Sequence, residues 1–319
     1  MSAYDTPRVN FSFPDEPSPI IKVIGVGGGG GNAVENMYAN GIQGVDFVIC
    51  NTDSQVLQAS RIPTRLQLGG QLTGGLGCGA KPEIGRQSAL ENLEELRDLL
   101  SENTRMVFVT AGMGGGTGTG GAPVIAALAR EMGILTVGIV TTPFSFEGKW
   151  RRSIAQQGLE ELRHCVDTML VINNDNLLDL CGRNMRAKDA YNMVDDVVAN
   201  GARGIAEIIT VKGDVNVDFA DVQTIMKNSG TALMGMATAT GEDRALHAVQ
   251  EALASPLLNN VDIHGANGVL VNISASEDTL MMDEVHEIVE YVMESAGEDA
   301  RCIFGQVSDD TLGEDLRVT

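Results

Sequence analysis

Through its first half the chain alternates two kinds of apolar pattern. Short β-branched runs at residues 20–26, 45–50, 106–110, 134–140 and 168–172 read as buried strands, because a strand covered on both faces carries a near-continuous apolar run. Between them, apolar residues recur three and four positions apart, which reads as helix. The predicted helices run from Asn32 to Tyr38, over 83–100 behind Pro82, over 123–132 before Gly133, and over Lys149–Arg163. Strand and helix in alternation predict a doubly wound parallel sheet covered on both faces. Ligands of such a sheet sit beyond the carboxyl ends of its strands.

A longer helix is predicted over 188–211, with Tyr191, Val194, Val198, Ala202, Ile205 and Ile209 at helical spacing. At 1.5 Å per residue it is about 35 Å long. The pattern then changes. A polar loop at 216–221 leads to a helical stretch at 222–227, a short run at 232–239, a helix over 243–254, a strand over Gly268–Ala275, a helix over 282–295 and a strand over 301–307. This reads as a second, smaller α+β domain, whose last apolar run at 316–319 is expected to be a strand cut short. Residues 1–19 hold Pro7, Pro14, Pro17 and Pro19 among polar residues and are expected to form a loosely attached or disordered arm.

Glycine marks the candidate chemistry. Residues 111–121, AGMGGGTGTGG, lie between a strand and a helix. Backbone N–H groups come to face an anion at such a turn, and glycine permits the close approach. Thr117 and Thr119 add hydroxyl donors, and the stretch reads as a phosphate cradle. A second run follows the first strand, where residues 25–30 satisfy GxGxxG and Asp53 stands where a dinucleotide enzyme places its ribose acid. An NAD-dependent oxidoreductase is therefore the alternative reading. Two glycine turns exceed what one pyrophosphate needs, and suggest a nucleoside triphosphate. No GxxxxGK(S/T) occurs, so a P-loop NTPase is excluded.

Charge narrows the partners. The 319 residues carry a formal net charge of −21, which argues against nucleic acid and against direct binding to an anionic membrane. No run is apolar enough to span a bilayer. Five cysteines without a CxxC pair fit reduced thiols in a cytoplasmic protein. The four histidines show no metal-ligand spacing, so no residue is assigned to a metal.

Three further clusters each allow two readings. Glu147 could accept from ribose hydroxyls and Arg151 could reach sugar or phosphate, or Glu147 could simply serve a helix start. Tyr191 and Asp195, one helical turn apart, could meet a base, with the carboxylate accepting from N1–H and N2–H of guanine. They could equally be a core tyrosine and a solvated aspartate. In NVDFAD at 216–221, Asp218 or Asp221 could be a helix cap and still leave the other free.

Taken together these stretches resemble the FtsZ family of tubulin relatives. GGGTGTG at 114–120 matches the family signature. KVIGVGGGGGNAV at 22–34, NTD at 51–53, PEIGR at 82–86, PFSFEG at 143–148, VDT at 166–168, NVDFADV at 216–222 and GVLVNI at 268–273 follow in family order. The resemblance implies a GTPase that polymerises head to tail into protofilaments of the cytoplasmic mid-cell division ring. It implies a Rossmann-like GTP-binding domain over 20–187, a central helix over 188–211 and a GTPase-activating domain over 212–319. By the resemblance, Gly28, Gly29, Gly30, Gly31, Asn32, Gly114, Gly115, Gly116, Thr117 and Gly118 bind GTP or GDP phosphates. Glu147 and Arg151 hold sugar and phosphate, Tyr191 and Asp195 hold guanine, and Asn216, Asp218 and Asp221 are catalytic. Mg²⁺ is expected to be held through phosphates and water.

The length of the central helix puts the base end and the acidic loop roughly 30 Å apart in one chain. A head-to-tail neighbour is therefore expected to supply the acids. Trp150, Asn173, Asn176 and Lys81 depart from the family pattern without removing a presumed catalytic group. The terminal peptide by which family members bind membrane tethers and regulators is expected to be absent here.

Overall fold

The computed structural model describes residues 19–180, 185–211, 213, 215, 217–258, 263–297 and 299–319. The arm expected over 1–19 lies outside them but for its last residue. The first half runs β1 (Ile21–Val26), α1 (Gly27–Ala39), β2 (Val45–Asn51), α2 (Ser54–Ala59), β3 (Thr64–Gln67), α3 (Gly70–Thr73), α4 (Pro82–Glu91), α5 (Leu93–Ser101), β4 (Met106–Gly112), α6 (Thr117–Glu131) and β5 (Leu135–Thr142). It continues through α7 (Lys149–Arg163), β6 (Thr168–Asn173), α8 (Asn174–Leu180) and the long α9 (Ala187–Thr210). Beyond it come α10 (Phe219–Met226), β7 (Gly230–Ala232), β8 (Ala237–Ala239), α11 (Arg244–Leu253), β9 (Gly268–Ala275), α12 (Met282–Ala296), β10 (Arg301–Ser308) and β11 (Leu316–Val318).

Seven strands form one sheet in the order β3-β2-β1-β4-β5-β6-β7. Every neighbouring pair is parallel. A parallel sheet must be buried on both faces, and two apolar clusters do this. One packs Val34 and Met37 of α1 and Val194, Val198 and Ala202 of α9 against Val23, Phe108 and Ile139. The other packs Leu96 and Leu100 of α5, Ile125 of α6 and Leu162 of α7 against Ile24, Val107 and Val109. A smaller sheet, β10-β9-β11-β8, carries a third cluster under α11 and α12. There β9 and β10 are parallel, while β11 runs antiparallel to both β9 and β8.

The sequence reading of 111–121 as a loop is corrected. β4 continues to Gly112 and α6 starts at Thr117, with Pro123 inside the helix. Gly120 serves packing: a Cβ there would collide with the Pro82 carbonyl oxygen of α4. The glycines after β1 are likewise the first turn of α1. The single helix expected over 83–100 breaks at Asn92 (φ −110°, ψ 27°), whose side chain accepts the Gly69 N–H at 2.8 Å. The strand β3 and the helices α2 and α8 carried no pattern that the reading picked out. β7 lies beyond the long helix in the chain, yet it extends the large sheet by pairing with β6.

Candidate functional site

The direction of winding reverses between β1 and β4: β2 and β3 lie to one side, β5, β6 and β7 to the other. A crevice opens beyond the carboxyl ends of two strands at such a switch point. The helices that follow these strands, α1 and α6, start side by side there. Gly27 has φ +73°, and a Cβ on it would sit 2.8 Å from the Gly118 nitrogen, so only glycine lets the two starts abut. Among the described residues no side chain caps either helix. The first-turn N–H groups of both helices, with their positive dipole ends, are left to serve the crevice.

The crevice has a volume of about 370 Å³. Its walls are Gly28, Gly29 and Asn32 of α1; Thr110, Ala111 and Gly112 of β4; and Gly115, Gly116, Thr117 and Gly118 at the start of α6. Pro143, Glu147, Arg151, Asn174 and, from α9, Tyr191, Val194, Asp195 and Val198 close it. The structure thus brings together eleven of the fourteen residues expected to bind nucleotide. Gly30, Gly31 and Gly114 are buried and do not line the crevice.

Glu147 and Arg151 enter as a pair. One Glu147 oxygen accepts the Phe144 N–H at 3.0 Å and the other accepts from Arg151 Nη1 at 2.5 Å. The glutamate therefore also serves the local turn before α7. Tyr191 is not in the core: it is 46% exposed, and its ring meets Phe144 edge to face with centroids 5.3 Å apart. Asp195 is not a solvated surface acid. Burial, and then the charge of Asp196, push its carboxyl up to about 7.

Asn174 was missed. It is buried, and its Oδ1 has no hydrogen-bond partner among the described residues. A buried acceptor with no protein partner in a crevice is open to a donor from water or a ligand. Its signal in the sequence was positional, since it follows directly on a strand of the parallel sheet. Next to it, Asn173 Oδ1 accepts from Thr142 Oγ1 and the Asp175 N–H, so this departure from the family pattern ties β5 to the start of α8.

The acidic cluster lies elsewhere. Asp218 caps α10 and Asp221 stands in its first turn. Both are exposed, and neither lines the crevice. Asn216 lies outside the described residues. From Tyr191 to the end of α9 at Thr210 the axis rises about 28 Å, so the helix separates the acids from the base end of the crevice.

Residues 20–182 match the GTPase domain of the Tubulin/FtsZ family, and residues 230–319 match the C-terminal domain of the FtsZ family. The cell division protein FtsZ of Coxiella burnetii (strain RSA 493 / Nine Mile phase I) is 50% identical over 299 residues, covering 94% of this chain and 77% of that protein. An FtsZ dimer structure from M. jannaschii, described as empty, superposes with a TM-score of 0.89 at 42% identity, covering 93% of this chain and 86% of that one. CetZ2 from Haloferax volcanii, a GTPγS-bound protofilament, shares the fold at a TM-score of 0.77 and 23% identity, covering 93% and 91%. These matches do not support the NAD-dependent oxidoreductase alternative. Asp53, the acid on which it leaned, instead caps α2, accepting the Gln55 and Val56 N–H groups.

Proposed function

The chain belongs to the FtsZ family of tubulin-like cell-division GTPases, and on that premise we propose that it binds GTP in the switch-point crevice and hydrolyses it when a second copy caps that crevice. The observation that carries the reading is the separation of two half-sites. Two uncapped helix starts meet at one crevice, while the exposed acids sit beyond the far end of α9.

In this reading the N–H groups around Gly28, Gly29, Asn32, Gly115, Gly116, Thr117 and Gly118 donate to phosphate oxygens. Gly30, Gly31 and Gly114 support them from behind. Arg151, held by Glu147, reaches sugar and phosphate. The base lies against the exposed face of Tyr191. Asp195 accepts from the guanine edge, and Asn174 Oδ1 accepts a further donor. Asn216, Asp218 and Asp221 of the capping copy orient and polarise the attacking water. Among the described residues no group of three or more His, Cys, Asp or Glu side chains could cage a metal. In this reading Mg²⁺ is carried mainly by phosphate oxygens and water. Bound so, it would offset charge on the phosphates.

A contact that joins one end of a copy to the other end of the next is heterologous and need not close, so it builds a filament. The division into a GTP-binding domain over 20–187, a linking helix and an activating domain over 212–319 belongs to the same reading, as does a cytoplasmic site at mid-cell. No helix of the described residues is long and apolar enough to cross a membrane. Contacts to membrane tethers and regulators are assigned to no residue of this chain.

The test is GTP turnover per subunit against protein concentration, with sedimentation run in parallel. Turnover is expected near zero until polymer appears and to rise with it. A rate per subunit that does not depend on concentration overturns the shared site.

A further inference from the structure

Behind the phosphate wall lies a buried cluster that the roles above leave unused. Thr52, at the end of β2, is fully buried. Its Oγ1 lies 2.7 Å from Thr117 Oγ1. The Cys78 thiol, from the glycine-rich loop before α4, donates to Thr52 Oγ1 at 3.3 Å. Thr117 Oγ1 also lies 3.5 Å from Cys78 Sγ and can donate to it. Of the three, only Thr117 lines the crevice.

Counting protons gives the cluster a direction. Each hydroxyl has one proton to give and lone pairs to accept with. The thiol proton goes to Thr52, so the Thr52 proton is free to go to Thr117. Thr117 then accepts from behind and keeps its own proton. Without an anion that proton can close the ring onto Cys78 Sγ. With a phosphate oxygen in the crevice it can turn outward, and the donors behind it raise its polarity.

We propose that Thr52, backed by Cys78, is a positioning residue for the phosphate site: it orients the Thr117 hydroxyl as a donor into the crevice. The proposal rests on the reading that the crevice binds the phosphates of GTP.

The test is GTP and GDP binding, and turnover, for wild type, Thr52→Val, Thr52→Ser and Cys78→Ala, with thermal unfolding of each nucleotide-free chain. Thr52→Val keeps the side-chain shape and removes the donor. Its nucleotide affinity is expected to fall about tenfold, the scale of one hydrogen bond. The GTP concentration for half-maximal turnover rises with it, while turnover at saturating GTP stays within about twofold. Thr52→Ser restores affinity. Cys78→Ala loses less, about two- to threefold, because Thr52 still donates.

Three results would overturn the assignment. One is wild-type affinity in Thr52→Val. Another is Thr52→Ser as weak as Thr52→Val, which would mean packing alone. The third is a drop in the melting temperature of nucleotide-free Thr52→Val large enough to account for the lost binding. If wild type binds no guanine nucleotide, the proposed function falls and this assignment falls with it. If wild type binds and Thr52→Val is unimpaired, only this assignment falls.

Discussion

Asp218 Oδ1 accepts the backbone N–H of Asp221 at 2.8 Å. One carboxylate of the acidic pair is thereby bound to the start of α10, and the other is left exposed in its first turn. Cap and charge can be separated by substitution. Asp218→Asn keeps the cap, because asparagine caps as well as aspartate, whereas Asp218→Ala removes it at a cost of about 1 kcal/mol. Both variants are expected to bind GTP normally and to lose most turnover, with only Asp218→Ala also melting earlier. Normal hydrolysis by either variant would remove Asp218 from the catalytic group.

If the site is shared as proposed, a mixing experiment is informative. Asp218→Ala chains keep an intact crevice and lack the acid. A chain carrying Gly116→Val keeps the acids and has its phosphate wall pushed out of place, since a Cβ at 116 would sit 2.6 Å from the Cys78 Cβ. Each is expected to be inactive alone. In a mixture, junctions between an intact crevice and an intact acidic loop recover part of the turnover. No recovery, with mixed polymer shown by sedimentation, would count against catalysis in trans.

Asp195 sets a pH dependence. Burial raises its carboxyl to about 7, and only the ionised form can accept two N–H groups. Guanine-nucleotide affinity is therefore expected to increase with pH up to about 7, by close to tenfold per unit at the acid end, and to level off above. The stability of the empty chain runs the other way. A carboxyl whose folded pKa is raised contributes stability at low pH that is lost as pH rises through about 7. Nucleotide-free Asp195→Asn should then exceed the wild-type melting temperature by more at pH 8 than at pH 5, while binding guanine weakly at both. Titration calorimetry and thermal unfolding at the two pH values check both signs.

Trp150 is the one tryptophan of the sequence, precedes the crevice-lining Arg151 in the chain and is 64% exposed. On the proposed head-to-tail contact, this ring and Phe146, which is 69% exposed, are expected to be covered by the capping copy. Tryptophan emission is expected to shift to the blue as polymer forms with GTP and to return on disassembly. Polymer in the pellet with unchanged emission would place the contact elsewhere.

In the smaller sheet domain, Arg244 makes the densest buried charge network among the described residues. Its buried guanidinium donates to both Glu284 oxygens, at 2.6 and 3.0 Å, and to the Glu314 and Thr279 carbonyls, each at 2.6 Å. Arg244→Met leaves Glu284 without its partner and is expected to cost about 3–5 kcal/mol. Adding Glu284→Leu should recover much of that loss, because two apolar side chains do not leave a charge stranded. Denaturant unfolding of the single and double variants measures the difference.

Much of the fold was legible because it is written locally. Parallel strands buried on both faces must be apolar throughout, so β1, β2, β4, β5 and β6 stood out. The short β3, TRLQ, is exposed and half-buried along its length and carries no such run. The helix α2 takes its start from the Asp53 cap, and Asp53 had been read as a ligand acid. β7 is three residues long and belongs to the large sheet only through its pairing with β6. Nothing within three residues can encode a partner so far back in the chain.

The sequence by itself determined the fold class, the two glycine-rich strand ends and the kinship, since periodicity, turn chemistry and ordered motifs survive without coordinates. The tertiary structure alone decided which glycines face the crevice and which face a helix. A missing Cβ has the same signature in either case, as Gly28 at the crevice and Gly120 against α4 show. It also decided that Asn174 is an orphan acceptor, that Asp195 is held near neutrality, and that Thr52 stands behind Thr117. Each of these depends on what distant segments bring alongside, and desolvation and hydrogen bonding act through space, not along the chain.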